Sequence, residues 1–81
     1  MRPEMKYVLR CWWGTKSYTD WEWARCPSVR DVWKVLKTHV TKRARRENRG
    51  KPAGRIDWAL VEFPRGSGVG TCLLRGWEVD E

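Results

Sequence analysis

The sequence has no long hydrophobic run. Its longest unbroken apolar stretch is Trp58-Ala59-Leu60-Val61, against the roughly 20 residues that a membrane-spanning helix requires. No membrane partner is therefore expected. Met1-Arg2 opens with positive charge, but Lys6 and Arg10 break up the residues after it, so the apolar stretch of a secretory signal is missing and an intracellular, cytoplasmic location is expected. Cysteine is sparse: Cys11, Cys26 and Cys72 are odd in number and isolated, whereas small secreted domains use dense, paired cysteines. Free thiols, packed as small buried hydrophobes, are the expectation. Together with His39, the single histidine, they amount to four potential zinc ligands, but no two stand at the short spacing that lets one turn offer both to a metal. No metal or other cofactor is expected.

The constellations of catalysis are missing as well. His39 lies between Thr38 and Val40 in a helical stretch, with no Ser or Cys placed to use it as a base. Asp57 and Glu62 fall on opposite faces of one strand and so do not pair as an acid and a base. Gly66-Ser67-Gly68-Val69-Gly70 has the look of a phosphate loop, but a β-like run comes next where a helix is needed, and there is no Walker lysine. It reads as a hairpin connection. In 81 residues most apolar side chains must serve one core, since a chain this short hides only roughly 60–65% of its unfolded surface. The protein is read as a non-enzyme, and residues 1–81 as one small domain without repeats or low-complexity tracts.

The elements are legible from periodicity. Met5 to Trp13 alternates as a strand, with Met5, Tyr7, Leu9, Cys11 and Trp13 on one face and Lys6, Arg10 and Trp12 on the other. Gly14 to Ser17 is turn-forming, and Thr19 to Cys26, with Trp21 and Trp23 two apart, returns as a second strand. Ser28 is placed to cap a helix and Asp31, three residues on, completes the signal. Val29, Val32, Trp33, Leu36, Val40 and Ala44 then recur at three- and four-residue steps to about Glu47 or Asn48, before Gly50 and Pro52 stop the helix. Ile56 to Phe63 and Thr71 to Val79 make a second hairpin. The order β-β-α-β-β predicts an α+β fold: an antiparallel four-stranded sheet with one long helix packed on one face and the other face open to solvent or a partner.

Charge is where the sequence departs from an ordinary small domain. The net charge is +7, and residues 28 to 55 hold ten bases against two acids, Asp31 and Glu47, a segment charge of +8 that leaves −1 for the rest of the chain. Lys42, Arg43, Arg45, Arg46 and Arg49 surround Ala44 where the apolar stripe runs out, with only Glu47 beside them. Cations at a helix C-terminus gain about 0.3–1 kcal/mol each within the last turn, which accounts for one or two of five. Arg outnumbers Lys eleven to six, and Arg pairs bidentately with phosphate and stacks on bases.

Seven tryptophans exceed what so small a core encloses. Trp33 and Trp58 sit at core positions of their elements, Trp21 and Trp23 share one face, and Trp12 shares its face with Lys6 and Arg10, which makes it the candidate exposed ring. The reading is a small basic protein that contacts phosphates of DNA or RNA through Lys42, Arg43, Arg45, Arg46, Arg49, Lys51 and Arg55, with Trp12 adding stacking. A single helix excludes a helix-turn-helix, and the aromatic signature of the common RNA-binding sheet domain is absent. The alternative is a protein-interaction module or small phage-type inhibitor that engages an acidic or nucleic-acid-binding protein. A homodimer through a sheet edge is the remaining partner considered.

Overall fold

The computed structural model describes residues 4–17 and 21–81, and within them the β-β-α-β-β order and the α+β class hold. Strand β1 (Met5–Trp13) is central. A turn at Gly14 and Thr15, with Gly14 at φ 61°, leads into β2 (Lys16–Ser17), and β3 (Trp21–Trp23) continues antiparallel to β1. The returning arm thus begins at Lys16, earlier than the Thr19 expected, because the two-residue turn closes directly on Trp13↔Lys16 pairing. Thr19 and Asp20 lie outside the described residues. On its other side β1 pairs along its whole length with β4 (Gly54–Pro64), which pairs with β5 (Thr71–Asp80). The sheet order is therefore β2/β3, β1, β4, β5.

One continuous helix, α1, covers residues 29–47. Its start is the reciprocal cap that the sequence foretells: Ser28 Oγ accepts from the Asp31 N–H at 3.1 Å and the Asp31 carboxylate accepts from the Ser28 N–H at 3.0 Å. These bonds hold the Asp31 carboxyl below its ordinary value. The middle, Leu36–Val40, is wound as a π-helix, with the Thr41 N–H bonded to the Leu36 carbonyl five residues back and the Thr41 hydroxyl donating to that same oxygen at 2.8 Å. The pattern of apolar residues explains why. Val32, Leu36, Val40 and Ala44 are all buried and strictly four apart, a spacing that drifts about 40° per step on a helix of 3.6 residues per turn. Underwinding at the centre brings the line back onto the sheet.

The core lies between α1 and the odd side chains of β1 and even side chains of β4: Leu9, Cys11 and Trp13 against Ile56, Trp58 and Leu60. Each such aliphatic side chain stabilises the fold by roughly 1.5–3 kcal/mol. Trp21 and Trp23 pack half-buried at its margin, and the Trp21 ring stacks on His39 with centroids 4.3 Å apart. The Trp13 ring N–H, which would otherwise be stranded, donates to Glu47 at 3.1 Å and ties the helix end to β1.

Three expectations about burial are corrected. Trp33 is 45% exposed, because the four-residue line runs through Val32 and Leu36, one step away, and its ring lies instead under the Lys37 ammonium at 5.0 Å. Val29 is exposed in the first turn. Of the cysteines only Cys11 is buried, whereas Cys26 and Cys72 are exposed, the first after β3 ends and the second on the sheet side away from the helix. Among the described residues no helix is long and apolar enough to cross a membrane.

Candidate nucleic-acid interface

Lys42 and Arg46 stand two residues either side of buried Ala44, each about 200° around the helix from it, so both point away from the sheet. The helix then ends on two left-handed residues, Arg49 at φ 59° and Gly50 at φ 82°. The Gly50 N–H returns to the Arg45 carbonyl at 2.7 Å, and the Asn48 side chain donates to the Pro52 carbonyl at 2.6 Å. A non-glycine residue in this region costs on the order of 1–2 kcal/mol, which the carboxamide and the glycine offset by closing the turn. The outcome is an ordered platform on which Lys42, Arg46, Arg49 and Lys51 are exposed. None of the four forms an ion pair with a described residue.

The other predicted bases are placed differently. Arg45 is clamped: its Nε lies 2.9 and 3.0 Å from the two carboxylate oxygens of Asp80, and its Nη2 also donates to Asp80. The same carboxylate accepts the Ala53 N–H at 2.8 Å, and only 6% of the side chain is exposed. The Arg45 hydrogen bonds, foremost, hold the Asp80 carboxyl below the usual aspartate value, and Asp80 in turn pushes the Arg45 guanidinium up. Arg43 pairs more loosely with Glu47 at 3.5 Å, and Lys37 with Glu78 at 3.5 Å. The expectation that only Glu47 offsets the basic run is thus corrected, since the acidic end of the chain runs back along the helix. Pairing of Ile56 with Glu78 and Gly54 with Asp80 turns both acids to the helix side. The alternation of Leu74, Gly76, Glu78 and Asp80 was the available signal, but it needed the strand register to be read.

Arg55 does not join the loop cluster. It belongs to β4, on the strand face opposite the core, where its guanidinium lies 4.7 Å from the Trp77 ring centroid and 3.1 Å from Asp57. Trp12, 39% exposed, is on this same open face. The predicted residues therefore form two groups separated by the thickness of the sheet: Lys42, Arg43, Arg45, Arg46, Arg49 and Lys51 on the helix side, and Trp12 and Arg55 on the open side.

The open face is itself divided. Toward one end Val8 and Phe63 are buried, with the Arg10 guanidinium 5.2 Å from the Phe63 ring centroid and Gly70 so close that a β-carbon there would meet Phe63 and Val61 at 2.6 Å. Toward the other end the face is a groove of about 620 Å³. Two rows of the register build it: Trp12, Asp57 and Trp77 side by side, then Ala59 and Arg75, while Arg10, the third member of that row, lies over the Phe63 ring. Short residues on β4 form the floor and long ones on the flanking strands form the walls. Trp77, 58% exposed, and Arg75 were passed over in the sequence because nothing local shows which face of β5 the helix covers.

Compared with known proteins, the chain matches no family model, no curated protein and no solved structure. What the site does is therefore argued from its own geometry and charge.

Proposed function

We propose that this protein binds nucleic acid, and that the phosphate contacts are made by Lys42, Arg46, Arg49 and Lys51. One observation carries the reading. These four exposed cations lack carboxylate partners among the described residues, while the acids nearest to them, Glu47 and Asp80, are taken up by Trp13 with Arg43 and by Arg45 with Ala53. Beyond the helix-dipole gain of about 0.3–1 kcal/mol for a cation in the last turn such as Arg46, a platform of like charges held by a left-handed turn adds nothing to the fold, and it suits a polyanion. Arg43 is held in a weak surface pair with Glu47 and is not counted among the contacts. Arg45 serves the fold, and Arg55 belongs to the other face.

Four contacts set the expected salt dependence. On duplex DNA the affinity falls with a log–log slope of about −3.6, and on a single strand about −2.8. Labelled single- and double-stranded DNA and RNA titrated at several ionic strengths measure this directly. Replacing Lys42, Arg46, Arg49 and Lys51 by Gln is expected to flatten the duplex slope toward zero and remove most of the duplex affinity. Absence of binding to all four nucleic acids at low salt refutes the reading, as does a duplex slope that the fourfold variant leaves unchanged.

A further inference from the structure

We infer that the groove on the open sheet face is a second, separate site, which takes unpaired bases of a single strand against Trp12 and Trp77 while Arg55 and Arg75 meet its phosphates. This rests on the nucleic-acid reading above and names the form of nucleic acid that the opposite face accepts.

The rows of the register supply the geometry. Trp12 and Trp77 both neighbour Asp57, so their backbones stand about 9–10 Å apart across one intervening strand. The floor between them, Asp57 and Ala59, is low, which leaves two aromatic walls around a slot. Stacking on an aromatic ring requires a base whose flat face is free, which a duplex does not offer and a single strand does. The next row along the groove adds the guanidinium of Arg75 beyond Trp77, and Arg55 lies against the Trp77 ring. The groove therefore sets aromatic walls beside two guanidinium groups, Arg55 and Arg75, the pairing of stacking surface and positive groove that single-strand binders use. Arg75 is exposed and forms no ion pair with a described residue.

Charge separates this occupant from a second copy of the chain. A two-fold contact through this face presents Arg55 and Arg75 to the same residues of the partner, with Asp57 already held by Arg55. A polyanion relieves that repulsion, and another copy adds to it.

The test uses a fluorescently labelled oligothymidylate of about ten nucleotides and a labelled duplex, each titrated by anisotropy against the full chain and four variants: Trp12→Ala, Trp77→Ala, Trp77→Phe and the fourfold Gln variant of the helix end. Each alanine variant is expected to lower oligothymidylate affinity about tenfold. Duplex affinity is expected to stay within about twofold, because phosphate contacts on the helix side dominate it. Trp77→Phe keeps a ring and is expected to recover most of the loss. The fourfold variant is expected to bind oligothymidylate with a shallow slope of about −1.4, as two phosphate contacts give. Should an alanine variant fail to fold by circular dichroism, Arg75→Gln, an exposed side chain, takes its place with an expected loss of about fivefold and a slope shallower by about 0.7. If the alanine variants bind oligothymidylate like the parent while the fourfold variant does not bind it, the second site is refuted and the helix-side reading stands. If the parent binds neither probe, both fall. A dimer of the parent in sedimentation that Trp77→Ala dissociates, without loss of oligothymidylate affinity, overturns the assignment in favour of self-association.

Discussion

Removing Asp80 tests how the basic helix end is built, because the substitution pushes stability and binding in opposite directions. In Asp80→Ala the Arg45 guanidinium loses both carboxylate oxygens and the half-buried Ala53 N–H loses its acceptor. Hydrogen bonds to a charged group contribute about 1.5–3 kcal/mol, and a stranded donor costs about 1–3 kcal/mol. Arg45 is 47% exposed and rehydrates readily, so its share is discounted and the net loss comes to about 2–3 kcal/mol. For a domain of this size that lowers Tm by roughly 10–20 °C, read by thermal denaturation with near-UV circular dichroism. The freed guanidinium meanwhile adds one phosphate-competent cation, which steepens the salt slope for duplex DNA by about 0.9.

The pH dependence comes from the same contact. Because the folded carboxyl lies below its unfolded value, its contribution is fully present above about pH 3.9 and is lost as pH falls through the lowered folded value. Acid denaturation of Asp80→Ala is therefore expected to lack that step. A loss of less than about 0.5 kcal/mol refutes the clamp. A large loss with an unchanged salt slope shows that Arg45 does not reach phosphate even when released.

Three further outcomes are expected. Gly76→Ala places a β-carbon 2.8 Å from Cζ2 of the Trp58 ring, so denaturant unfolding should show a loss of about 1–3 kcal/mol from overpacking. Ser28→Ala removes the helix cap while touching nothing else in the core, and about 0.5–2 kcal/mol of stability should go with it in urea titrations. In a thiol titration of the native protein, Cys26 and Cys72 should react at once, whereas Cys11, buried between sheet and helix, should react only on unfolding. Rapid reaction of all three places the core wrongly.

Much of this protein was decided by local pattern. The Ser28 cap, the stripe of Val32, Leu36, Val40 and Ala44, the alternation from Met5 to Trp13 and the excess of bases from Ser28 to Arg55 are each read along one continuous stretch of chain. The α+β order with one covered and one open sheet face comes from them, because helix and strand periods are properties of neighbouring residues. The π-wound centre of α1 was not legible, since it depends on how a four-residue stripe meets the sheet.

What only the tertiary structure decided is which charges stay available. Asp80 is 35 residues from Arg45, and no local pattern joins them; the antiparallel register of β5 on β4 carries the acidic end to the helix. The same register assigns Arg55 to the far side of the sheet and lines Trp77 up with Trp12. Composition and spacing determine how much positive charge and aromatic surface this chain has. Strand register, a contact between distant residues, determines which of it is left facing solvent.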